Sequence, residues 1–276
     1  TGSALESMTM TQLRAAVERG NVFARVMPEH KLRLIAAFKA NGQVVAMTGD
    51  GVNDAPALKA AHIGVAMGSR GSDVAREAAA LVLLDDDFSS LVAAVRLGRA
   101  IHDNIRKAVR YIVAVHVPTA GMSVLPLLMG WPLLFYPVHI VFLELIIDPT
   151  CSMAFEAEPE AGDLMRRPPR PASERLFDRS LLVSSAAQGL AVLALAASLY
   201  GTALALVLPE GSARAMGFTA IVLSNLALIF GNRAHRGDLR TLVAPNPTLW
   251  WIAGSAVTAL ALTLYVPAMR EIFRFD

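Results

Sequence analysis

From Ala108 onward the chain is dominated by long apolar runs, and these limit its fold more than any other feature. Five stretches, about 108–129, 134–155, 181–207, 215–231 and 249–268, reach or approach the ~20 residues a helix needs to cross a hydrocarbon core. The 156–180 loop holds Arg166, Arg167, Arg170, Arg175 and Arg179, and the 232–248 loop holds Arg233, Arg236 and Arg240. The connections 130–133 and 208–214 carry only Glu210 and Arg214. Positive charge stays on the cytoplasmic side, so both arginine-rich loops and everything before the first span are expected there, with the C-terminal tail outside.

The first hundred residues read differently. Strands alternating with helices predict a parallel sheet covered on both faces. The pattern predicts helices at 11–19 (capped by Thr9 or Thr11), 29–40, 54–61 and 72–80, and strands at 22–26, 44–47, 63–67 and 81–84. One cysteine excludes an internal disulfide and suits a reducing compartment. A net charge of +2 gives no reason to expect nucleic acid, because the arginines sit between apolar segments. A helix starting at Phe88 meets no strong breaker before Pro118 except Gly98, and turns from charged to apolar at Ala108.

At the centre of this part lies Thr48-Gly49-Asp50-Gly51-Val52-Asn53-Asp54-Ala55-Pro56-Ala57-Leu58. The apolar run Val44–Met47 suits a strand buried on both faces, and Gly49 and Gly51 let the backbone turn tightly. Asp50, Asn53 and Asp54 then present oxygens at the strand's carboxyl end, where open α/β sheets bind ligands. Mg²⁺ takes one or two such carboxylates together with phosphate oxygens. A bare acidic turn capping a helix is the plainer alternative.

The full string resembles the hinge signature of P-type cation-transporting ATPases. Phe23-Ala24-Arg25-Val26-Met27-Pro28-Glu29-His30-Lys31, Ile63-Gly64-Val65-Ala66-Met67-Gly68 and Asp85-Asp86-Asp87-Phe88 resemble further segments of that family in the same order. The order matches the subgroup with calcium, sodium and proton pumps. The resemblance implies part of an α/β haloacid-dehalogenase-like (Rossmann-type) domain over about 1–104, followed by an all-α transmembrane helical bundle over 105–276. It implies Mg²⁺ at Asp50 and Asp54, and a Lys31 that neutralises an aspartyl phosphate; otherwise Lys31 is an ordinary surface lysine. The helix from Phe88 would be the stalk that transmits movement to the membrane.

Within the second apolar stretch, Glu144 and Asp148 are four residues apart and share a helical face. Ionisable groups inside a bilayer cost roughly 2.5–3.5 kcal/mol each on insertion scales, which makes a cation or proton site the expectation. Pro149 should loosen the preceding turn. Buried acids hydrogen-bonded to neighbouring helices are the structural alternative. In the calcium-pump pattern an asparagine would stand near His116 and a glutamate near Thr119, so a calcium site of the usual composition is in doubt. His116 reads either as a proton-linked residue or as an interhelical hydrogen-bonder. Cys151 reads as packing, and Asn225 as a further polar candidate.

The family's DKTGT acceptor motif, its TGE loop, its nucleotide-binding domain and its first four spans have no counterpart here. The expectation is therefore the C-terminal part of an ATP-driven cation pump, multi-pass in a bacterial plasma membrane with 1–104 cytoplasmic. By itself it would not hydrolyse ATP, and its partners would be the remainder of the pump, the cation and the bilayer. Two alternatives are a non-catalytic membrane partner of an intact or split pump, and a small free-standing transporter.

Overall fold

The computed structural model describes residues 2–147, 153–171, 175–233 and 246–275. The chain divides into two compact units, Thr1–Leu97 and Gly98–Asp276. In the first, α1 (Gly2–Glu6), α2 (Met10–Arg19) and α3 (Pro28–Ala40) precede a three-stranded parallel sheet. Thr9 and Gln12 close a capping box at the start of α2, which satisfies two otherwise orphaned N–H groups. Pro28, whose fixed φ suits a first turn, begins α3, and Gly42 (φ 76°) turns the chain after it.

The strands β1 (Ala46–Gly49), β2 (Ile63–Met67) and β3 (Leu81–Leu83) lie in chain order, with Ala46 opposite Ile63 and Val65 opposite Leu81. Helices α4 (Ala55–Ala60) and α5 (Asp73–Ala78) form the crossovers. The alternation of β2 feeds both faces: Ala66 packs with Leu58 and Ala75, while Val65 and Met67 pack with Leu83 and Leu91. A separate cluster of Leu5, Leu13, Val17, Leu34 and Ala37 holds the first three helices together.

Two expectations about strands need correction. Residues 22–26 form no strand, because Arg25 takes a left-handed conformation (φ 56°) that breaks an extended run. Phe23 and Val26 instead pack against the helical cluster. The strand expected at 44–47 begins two residues later, and Val44 is 64% exposed rather than buried on both faces. The imidazole of His62 accepts the Val45 N–H at 3.0 Å, so pairing starts at Ala46.

Helix α6 (Phe88–Met129) spans 42 residues and passes through both Pro118 and Pro126. Its charged part, together with the 156–180 segment, builds a polar region of the second unit. Arg167 bridges Asp103 (2.7 Å) and Asp163 (2.6 Å), and Arg99 donates to the carbonyls of Leu164 and Arg167. Then come α7 (Pro137–Phe142), a π-helical turn at Leu143–Ile147, α8 (Arg179–Ala205), α9 (Glu210–Arg233), α10 (Pro247–Tyr265) and α11 (Pro267–Phe273). Among the described residues four helices, α6, α8, α9 and α10, are long and apolar enough to cross a membrane. The stretch expected at 134–155 holds α7 and the π turn, and 148–152 lie outside the described residues. Arg214 lies inside α9 rather than in a loop, 4% exposed, and donates to the carbonyls of Leu133 and Arg274.

A neighbouring helix packs closely on α6 at Pro118. Pro118 has no N–H for the Ala114 carbonyl four residues earlier. Gly189 of α8 lies against that carbonyl, so closely that a Cβ there would stand 2.5 Å from the oxygen. Only glycine allows this approach, and small residues at membrane helix contacts commonly serve this purpose.

Candidate functional site

The first candidate site lies at the carboxyl end of β1. Gly49 ends the strand, a 3₁₀ turn over Val52–Asp54 follows, and Pro56 begins the fixed backbone of α4. The turn folds Asp54 back beneath the strand end: an added Cβ on Gly49 would meet the Asp54 Cβ at 2.6 Å. The glycine is therefore required by the aspartate as much as by any ligand. Lys31, in the first turn of α3, reaches across 23 residues of sequence to form an ion pair with Asp54 Oδ1. The Gly51 N–H donates to Asp54 Oδ2 at 3.4 Å. Burial works to raise the Asp54 pKa, but the hydrogen bond and charge of Lys31, with the backbone N–H groups, hold it below the usual 3.8.

Asp50 and Asn53 are exposed, and Asp50 holds the loop through its backbone: its carbonyl accepts the Ser72 N–H at 2.8 Å. No described side chain hydrogen-bonds its carboxylate. One exposed carboxylate, one oriented carboxylate, two glycines and a lysine fit the donor set for Mg²⁺ and a phosphoryl group.

The second candidate site lies within the second unit. The structure brings His116 of α6 and Glu144 of the π turn together, with Nε2 and Oε1 3.7 Å apart. The His116 Nδ1 lies 2.8 Å from the Ile112 carbonyl. Thr119, one turn further along α6, donates its hydroxyl to the Val115 carbonyl at 3.0 Å. π turns break the ordinary i−4 ladder and recur at functional positions, and this one carries Glu144. Asp148, Pro149 and Cys151 lie outside the described residues. Asn225 is buried in α9 and its Oδ1 has no hydrogen-bond partner among the described residues.

A buried polar centre sits elsewhere in this unit. Glu158 Oε2 accepts from Arg233 Nε at 2.8 Å and from Asn246 Nδ2 at 3.1 Å, with Lys107 Nζ 3.9 Å from Oε1. Arg233 is 1% exposed, and Asn246 also caps α10 by accepting the Leu249 N–H. Nothing in the sequence pairs residues so far apart, so no signal could have found it.

An α/β unit with glycines and carboxylates at a strand end is followed by helices long and apolar enough to cross a membrane. The family comparisons agree with both halves. Residues 10–62 match the haloacid dehalogenase-like hydrolases and 132–276 the C-terminus of cation-transporting ATPases. The chain belongs to the P-type cation-transporting ATPases and is a multi-pass membrane protein. It is 37% identical over 279 residues to a calcium-transporting ATPase of Bacillus subtilis (strain 168), covering 99% of this chain and 31% of the relative. A calcium-transporting ATPase 1 of Lactococcus lactis is 36% identical over 273 residues, with 99% and 31% covered. The human calcium-transporting ATPase type 2C member 1 is 30% identical over 278 residues, with 100% and 30% covered. The chain thus spans about a third of the length of these relatives.

Proposed function

We propose that this chain is the C-terminal working part of an ATP-driven cation pump, supplying the Mg²⁺- and phosphate-binding hinge and the intramembrane cation site. The Lys31–Asp54 pair at the end of β1, with Asp50 in the same turn, carries this reading. Asp50 and Asp54 would hold Mg²⁺, which supplies positive charge against the transferring phosphoryl oxygens. Lys31 keeps Asp54 ionised and oriented, and adds a second positive charge at the phosphoryl position. Gly49 and Gly51 admit the phosphoryl group to the backbone, and Asn53 offers an exposed amide beside it. The acceptor aspartate and the nucleotide-binding residues come from the remainder of the pump, so this chain alone is inert toward ATP. The part over 1–104 is cytoplasmic, and α6 links it to the membrane part.

Glu144 and Asp148 would hold the transported cation, with His116 and Thr119 on the facing helix. The calcium named for the relatives is one candidate for that cation. The hinge is tested by phosphorylation from γ-labelled ATP in a pump that carries this chain with Asp50→Asn. Loss of phosphoenzyme with normal expression is expected; wild-type phosphorylation at ordinary Mg²⁺ would remove Asp50 from the site.

A further inference from the structure

The orientation of His116 determines what kind of cation the membrane site can take. A carbonyl oxygen only accepts, so the 2.8 Å contact with Ile112 requires the Nδ1 of His116 to carry the proton. Nε2 is then the ring nitrogen that faces Glu144 Oε1. A backbone carbonyl fixing one ring nitrogen so that the other can coordinate is the usual outer support of a metal-ligating histidine.

We propose that His116 is a nitrogen ligand of the transported ion, and that with Glu144 it selects a divalent cation of the first transition row over Ca²⁺. This rests on the reading of Glu144 as part of the cation site. The spacing suits the task. Metal–nitrogen and metal–oxygen bonds of about 2.0–2.2 Å around a tetrahedral ion place two ligand atoms about 3.4 Å apart. The observed 3.7 Å needs to close by only a few tenths of an ångström. Both side chains are about half exposed, 51% and 46%, leaving room for an ion and its remaining ligands. Ca²⁺ fills its shell with six to eight oxygens, and an imidazole in place of an oxygen lowers its affinity. Imidazole with carboxylate suits Mn²⁺ to Zn²⁺.

The experiment measures ATPase stimulation of the pump carrying this chain in metal-buffered Mn²⁺, Zn²⁺ and Ca²⁺, for wild type, His116→Asn, His116→Gln and Glu144→Gln. In wild type, Mn²⁺ or Zn²⁺ should half-saturate below Ca²⁺. Both His116 variants, which offer an amide oxygen instead, should weaken the transition-metal response on the order of tenfold and leave Ca²⁺ unchanged or tighter. Electron paramagnetic resonance of bound Mn²⁺ should show nitrogen coupling that disappears in both variants. Equal weakening for all ions, persistence of the nitrogen coupling, or a wild-type preference for Ca²⁺ would overturn the proposal while leaving the site in place. Unaltered curves for Glu144→Gln would overturn the site reading itself, and the selectivity with it.

Discussion

Gly189→Ala tests whether the membrane helices are packed as described. An added Cβ would stand 2.5 Å from the Ala114 carbonyl oxygen and 2.6 Å from the Val117 Cβ. Reaching even the 3.4 Å of ordinary contact means moving α8 off α6 by close to an ångström. Neither atom lies at the end of a flexible side chain, so the helices themselves must give. Overpacking of this kind costs roughly 1–3 kcal/mol, against about 1 kcal/mol that alanine gains over glycine in a helix interior. The expected net loss is up to about 2 kcal/mol, which lowers the melting temperature by as much as several degrees. Gly254→Ala in α10 is the matched control: its Cβ meets nothing within 4 Å, and it should gain about 0.4–1 kcal/mol. Thermal unfolding of the detergent-solubilised pump reads both. If Gly189→Ala proves as stable as Gly254→Ala, the close contact at the Ala114 carbonyl does not exist.

Glu158→Gln removes the carboxylate charge that faces Lys107 and the buried Arg233 and should cost roughly 1–3 kcal/mol, seen as a lowered unfolding temperature; an unchanged temperature would mean the network is open to water. Asp54 has a depressed pKa, so its contribution to stability is complete above 3.8 and disappears as pH falls through the lower folded value. Lys31→Met should therefore shift acid-induced proteolysis of the 2–97 region to higher pH, and coincident pH profiles would show that the pair contributes nothing. Asn225→Leu removes a buried amide oxygen that has no hydrogen-bond partner among the described residues, and should be neutral or stabilising if the residue has no part in cation binding. Lost cation stimulation in that variant, with stability retained, would bring Asn225 into the site.

Much of the fold was legible because local signals agreed. Pro28, the Thr9–Gln12 box and the alternating residues of β2 each specify the element that forms. What was not legible depended on contacts between distant residues. The frame of β1 follows from the His62 hydrogen bond, and the lost strand at 22–26 from one left-handed residue. The packing of Gly189 against the carbonyl that Pro118 leaves without its usual donor also joins distant residues. At the sites, residue types and spacing identified Lys31, Asp50, Asp54, Glu144 and His116 as candidates. Their pairing, Lys31 with Asp54 and His116 with Glu144, came only from the fold. The Glu158–Arg233–Asn246 centre was invisible because each residue alone resembles an ordinary loop-boundary group.

The proposed function couples a phosphorylation hinge to a membrane cation site, and phosphoenzyme level measured against cation concentration, in pumps carrying Asp50→Asn, Glu144→Gln or Asp148→Asn, tests that coupling. No phosphoenzyme is expected at any cation concentration for Asp50→Asn. For the two membrane variants the curves should be displaced on the order of tenfold or more toward higher cation, with the plateau retained. Curves from all three that superimpose on wild type would contradict that coupling.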